Sequence, residues 1–178
     1  MVGDDCFYER HLAPLERRML RTVHRVLRDP DAARDALQDA LVRIWERRHV
    51  VETHPHAEAL VLRICLHAAI DALRRLGRRR ETTGLAMEGL PAATGRGPDA
   101  SHEHDEQQAA VLAAIAELPR QQALAVVLRL VEERPYPEVA QVMGCSPVTA
   151  RIHVMRGRSQ LRRLLAPLVP SSTEGGSA

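Results

Sequence analysis

YPEVAQVMGCSPVTARIHVMRGRSQLRRLL, residues 136–165, reads as a helix-turn-helix whose second helix is long and loaded with arginine. Val139 and Ala140 belong to a short first helix. Gly144 supplies the permissive backbone where that helix must stop. Ser146 is a strong N-cap residue, and Pro147 falls at the first helical position, where its missing N–H costs nothing. From there Ala150, Val154, Gly157, Leu161, Leu164 and Leu165 recur at helical spacing. The opposite face carries Arg151, Ile152, Met155, Arg156, Ser159, Arg162 and Arg163, with no acid among them. A cationic face beside a tight turn suits a major-groove reader. Arginine forks reach guanine edges and phosphates, and apolar groups reach thymine methyls. The bland reading is a solvated basic helix. The turn chemistry and the apolar stripe, taken together, argue against it.

Working outward, the 178 residues suit one or two small domains. Aromatic content is only 2%, and Phe7, Tyr8, Trp45 and Tyr136 are the whole set. Cores must then be built from Leu, Val, Ile and Ala, which suits helix packing and predicts an all-α fold. All 25 basic residues are arginine, and the formal net charge is +2. That total hides a pattern: residues 1–80 carry +4, residues 81–108 carry −5, and residues 109–170 carry +4. Two basic units flank an acidic connector, and each is a patch that could meet a polyanion. Cys6, Cys65 and Cys145 are widely spaced and give neither a disulfide framework nor a zinc pattern; Cys65 and Cys145 read as small core residues. No apolar run is long enough to span a bilayer and no signal peptide is recognisable, so the expected location is the cytosol, without membrane insertion.

The periodicity predicts helices over 5–28, about 31–48 and about 57–75, with residues 49–56 as a loop around Pro55. These make a first domain over residues 1–81. Residues 82–104, rich in Gly, Pro, Thr and Ala, break every period and read as a flexible acidic linker. A fourth helix from near Asp105, a fifth from Pro119 and the helix-turn-helix make a second domain over residues 105–168. Residues 169–178 read as a disordered tail.

This layout, from about Phe7 to Leu165, resembles a bacterial sigma-70 family factor of the extracytoplasmic-function group. DPDAARDALQDALVRIWERR, residues 29–48, is similar to the family's polymerase-binding helix, with Asp35, Leu37, Gln38, Asp39 and Trp45 on its marked positions. ALVLRICLHAAIDALRR, residues 59–75, matches the next family segment at Arg63, Ile64, Asp71, Leu73, Arg74 and Arg75. Residues 118–165 resemble the family's second domain, a match shared with other helix-turn-helix regulators. Leu60 and Leu62 stand where the family often has aromatics associated with promoter opening, and His67 replaces a usual Asn. From these departures strand separation is expected to be weak.

The resemblance implies a non-enzymatic protein without cofactor or metal. It would bind core RNA polymerase and direct promoter-specific initiation. Arg34, Asp35, Gln38, Asp39 and Arg43 would face the clamp helices of the largest polymerase subunit, and the second domain would meet the flap of the second-largest. Arg63, His67, Arg74 and Arg75 would approach the downstream (minus-ten) promoter element. Arg151, Ile152, Met155 and Arg156 would read the upstream (minus-thirty-five) element, with Ser146 and Thr149 near its phosphates. An anti-sigma factor is a further implied partner. One rival is a stand-alone helix-turn-helix regulator, which accounts for residues 118–165 but not for residues 29–48. Another is a metal-dependent enzyme using His54 and His56, or His102, His104 and Asp105. Neither histidine set has the spacing of a helical metal motif.

Overall fold

The computed structural model describes residues 6–83 and 98–168, and side chains within 6–79 and 107–167. Among these residues the fold is helical throughout, with no strand. The first predicted helix divides. A π-helical turn at Tyr8–Leu12 and a 3-10 turn at Ala13–Leu15 surround Pro14, and regular helix α1 follows over Glu16–Leu27. Pro14 removes a donor that a regular helix there would need. Helix α1 ends on Arg28, which takes a left-handed conformation at φ 58° and donates its N–H to His24 O. The Asp29 carboxylate then accepts from Asp31 N at 3.0 Å, and Pro30 opens α2 over Pro30–Glu46.

On α2 the buried row is Ala33, Ala36, Ala40 and Ile44, all fully covered. Three alanines let the helix lie close to its neighbours. Residues 49–53, expected as part of the 49–56 loop, belong to a short helix α3 at Arg48–Thr53. Burial of Val51 draws this turn onto the core, and the Thr53 hydroxyl donates to His49 O at 2.9 Å. Helix α4 runs Ala57–Thr83, well past the predicted Arg75. From Val61 to Leu73 it is buried on almost every side, because α1 and α2 pack on one flank and the second domain on the other.

The second domain comprises α5 at Pro98–Glu117, α6 at Arg120–Val126 extended by a π-turn at Val127–Val131, α7 at Tyr136–Met143 and α8 at Pro147–Leu165. Helix α5 starts seven residues earlier than Asp105, so the C-terminal part of the expected linker is helical; residues 84–97 and the tail 169–178 lie outside the described residues. Pro and an acid in a first turn favour such a start. The turn between α7 and α8 matches expectation in detail. Gly144 caps α7 at φ 64°, Ser146 Oγ accepts from Thr149 N at 3.1 Å, and Pro147 begins α8. Among the described residues no helix is long and apolar enough to cross a membrane.

Gly157 marks the closest approach of α8 to α6. A Cβ there would lie 2.6 Å from Val126 Cγ2 and 3.3 Å from Gln122 O. The valine is stiff and the carbonyl is backbone, so neither yields easily. Ala would gain about 1 kcal/mol of helix propensity, against an overpacking cost of about 1–3 kcal/mol. We expect Gly157→Val, which loses most of that propensity gain and adds two further methyls, to lower the melting temperature clearly; calorimetry of the full chain checks it.

Candidate functional site

Three surfaces carry the predicted site residues. The first is α8. Ala150, Val154, Gly157 and Leu161 are buried, and Arg151, Ile152, Met155, Arg156, Ser159, Arg162 and Arg163 are all exposed. Met155 is 63% exposed, a large apolar group kept in water beside arginines. The Ser146 and Thr149 hydroxyls lie at the start of α8 but bond each other at 2.9 Å, so part of their capacity is spent on the cap. Two contributors escaped the sequence reading. Val148, at the second helical position, is 67% exposed on the same side of the turn. Tyr136 receives two cations: the Arg151 guanidinium lies 5.0 Å from its ring centroid and that of Arg129 5.4 Å. The tyrosine face thus fixes the direction of Arg151. The available signal was that Tyr136 is the one aromatic residue after Trp45.

The second surface is α2, where the five predicted residues divide. Asp35 and Gln38 are exposed. Arg34 is exposed but donates to Asp31 at 2.9 Å. Asp39 accepts from Arg75 at 3.0 Å, and Arg43 donates to Asp71 at 3.2 Å, so both help to join α2 to α4. Val42, 58% exposed, and Trp45, 38% exposed, extend the open row. Asp35, Gln38, Val42 and Trp45 follow each other at three, four and three, the spacing of a helix seam. Val42 was missed because a lone exposed valine carries no sequence signal.

The third surface is α4, and here the structure departs most from expectation. Arg63, His67 and Arg74 face the second domain. Arg63 Nε donates to Val142 O, and its guanidinium presses on Gly144. Arg74 donates to Ala116 O at 2.9 Å and Leu118 O at 2.7 Å. Both guanidiniums therefore satisfy orphan carbonyls at helix C-termini, those of α7 and α5. Burial lowers the Arg63 pKa from its ordinary value. Asp71 meets Arg120 at 3.4 Å, Gln141 meets His56 at 3.0 Å, and Glu132 accepts from Thr22 at 3.5 Å with Arg25 at 3.7 Å. Leu62 is buried, so that position offers no exposed platform for a base. Among the described residues no group of His, Cys, Asp and Glu is arranged to hold a metal. His54 Nδ1 instead accepts from His56 N, and the side chains of His102, His104 and Asp105 lie outside the described residues.

His67, between the domains, has its pKa pushed down to about 4, first by burial and then by the Arg120 cation; Asp71 opposes this, while Arg63 and Arg43 add to it. A histidine with a depressed pKa favours the packed state fully above its ordinary value near 6.5, and that advantage is lost as pH falls toward 4. Acidification from pH 7.5 to 5 should therefore lower the stability of the packed chain. His67→Gln should flatten this dependence, as thermal melts at the two pH values would read.

Residues 7–79 match the family Sigma-70 region 2, and residues 108–161 match Sigma-70, region 4. The chain belongs to the sigma-70 family. Its relatives place it in the extracytoplasmic-function (ECF) group. It is 34% identical over 156 residues to the ECF RNA polymerase sigma factor SigE of Mycolicibacterium smegmatis, covering 84% of this chain and 58% of that protein. It is 27% identical to the RNA polymerase sigma-E factor of Streptomyces coelicolor, covering 92% of this chain and 89% of that protein. It is 24% identical to the RNA polymerase sigma-H factor of Pseudomonas aeruginosa, covering 94% and 90%. This sigma factor thus spans little more than half of the mycobacterial relative and most of the other two. Its fold is similar to that of the sigma factor RpoE of Bartonella quintana, solved in complex with the anti-sigma factor NepR, with a TM-score of 0.51, 21% identity, and coverage of 89% of this chain and 96% of that one.

Proposed function

We propose that this sigma factor binds core RNA polymerase through the open row of α2 and directs initiation at promoters read by α8 and, once the domains part, by α4. The observation that carries the reading is that one chain presents two different open faces. One is a mixed carboxylate, amide and apolar seam on α2. The other is an acid-free arginine and apolar face on α8, with Arg151 braced on Tyr136. The α2 seam suits a partner helix, such as the clamp helices of the largest subunit. The α8 face suits the major groove of the minus-thirty-five element, with Arg151 and Arg156 on base edges and Val148, Ile152 and Met155 against thymine methyls. Arg63, Arg74 and Arg75 supply phosphate contacts along the minus-ten element, and His67 lies beside any extruded base. The flap of the second-largest subunit is the partner of the second domain, and the cytoplasm is the location this work requires. An anti-sigma protein, like the partner of the Bartonella factor, would compete for these faces.

Transcription from a genomic fragment library with core polymerase tests the reading. Discrete start sites that need the added chain are expected. A stand-alone regulator would bind the same fragments through α8, yet would neither co-purify with core polymerase nor create start sites.

A further inference from the structure

We propose that the cleft between α1, the start of α4 and α7 is a binding site for a free α-amino acid with an apolar side chain. The inference does not depend on which surfaces meet polymerase and DNA.

The cleft encloses about 480 Å³, a volume typical of small-molecule sites. Two guanidiniums, Arg18 and Arg134, and two carboxylates, Glu58 and Glu138, line it, so its charges cancel but stand apart. Arg134 is the unusual member. Its side chain is only 9% exposed. Among the described residues its side chain makes one hydrogen bond, from Nη2 to Glu132 Oε2, and that is long at 3.4 Å. Glu138 stands 3.8 Å from Nη1, beyond hydrogen-bond reach, and Nε is buried without a partner. A guanidinium carries five N–H donors, and buried donors call for acceptors. The backbone enforces this placement. Glu133 holds φ 56°, a left-handed conformation that non-glycine residues rarely take, and Arg129 Nη1 secures the turn by donating to Arg134 O at 3.2 Å. Strained residues of this kind gather at ligand clamps. Arg18 shares the same wall and pairs with Glu58; burial and then the nearby Arg134 cation lower its pKa.

These features select the ligand. A carboxylate offers Arg134 the charge-assisted acceptors that a guanidinium fork favours. A simple anion would also meet the Glu138 carboxylate, and a simple cation would meet Arg134. A guanidinium and a carboxylate 3.8 Å apart match a ligand whose two opposite charges are equally close. An α-amino acid bears its ammonium and carboxylate on one carbon, whereas a peptide carries them on separate residues. Leu62 and Val142 complete the lining and give an apolar side chain a place to be buried. Arg18 and Glu58 belong to the first domain and Arg134 and Glu138 to the second. The bound amino acid therefore touches both, and binding stabilises the chain by mass action.

Calorimetric titration and thermal melts of the full chain test this with three probes: L-leucine, N-acetyl-L-leucine, which lacks the ammonium, and L-leucinamide, which lacks the carboxylate. L-leucine should bind saturably at one site and raise the melting temperature. Each derivative should bind about tenfold more weakly, as the loss of one charge-assisted contact implies. Glu138→Gln, at an exposed position, should weaken L-leucine by a similar factor without weakening N-acetyl-L-leucine. Arg134→Gln should abolish binding of both; if that variant does not fold, the Glu138→Gln comparison decides alone. Absence of saturable binding by L-leucine overturns the site. Equal binding of L-leucine and its acetyl derivative overturns the amino acid as ligand in favour of a simple anion. Leucine affinity unchanged in Glu138→Gln, or retained by a folded Arg134→Gln, overturns the placement in this cleft.

Discussion

Asp35→Arg combined with Val42→Asp should weaken binding to core RNA polymerase by about 100-fold, on the order of 3 kcal/mol, while leaving helicity intact. Both residues are exposed on α2, and neither belongs to its buried row of Ala33, Ala36, Ala40 and Ile44. The first change reverses a charge facing the partner, and the second buries an unpaired carboxylate where the seam needs an apolar group. Asp39 is a poorer target than its place in the sequence suggests. It pairs with Arg75 at 3.0 Å, so reversal would set two arginines together and loosen α2 from α4. Co-purification of tagged chain with core polymerase, alongside circular dichroism, reads both effects. Undiminished binding by the folded variant would remove the main support for the α2 surface.

Arg151→Ala and Arg156→Ala should each relax preference at one or two positions of the upstream element, by about 1–3 kcal/mol per lost guanine contact. Arg162→Ala and Arg163→Ala, two to three turns farther along α8, should instead weaken all sequences alike and flatten the salt dependence, as lost phosphate contacts do. Tyr136→Leu adds a finer test. It leaves Arg151 in place but removes the ring 5.0 Å from its guanidinium, so discrimination should fall part of the way while overall affinity holds. Binding of the full chain to a panel of single-base variants separates these outcomes. The same profile for the two pairs would mean that α8 does not lie in the groove as placed.

The helix-turn-helix was legible in the sequence down to individual caps. Its determinants are local: a glycine that reaches positive φ, a serine that caps, a proline at the first turn and an apolar stripe whose period is that of the helix. The same locality made the acid-free face of α8 readable. What failed depended on residues far apart. Helix α3 forms because Val51 finds a core to enter, which its polar surroundings in the sequence do not announce. The α2 set divided because the partners of Asp39 and Arg43 lie on α4, at Arg75 and Asp71. Most of all, Arg63, His67 and Arg74 carry the same one-dimensional signature whether they face solvent, DNA or protein. An arginine can serve a phosphate or an orphan helix carbonyl with the same donors, and only the packing of the second domain on α4 decided which of these it meets.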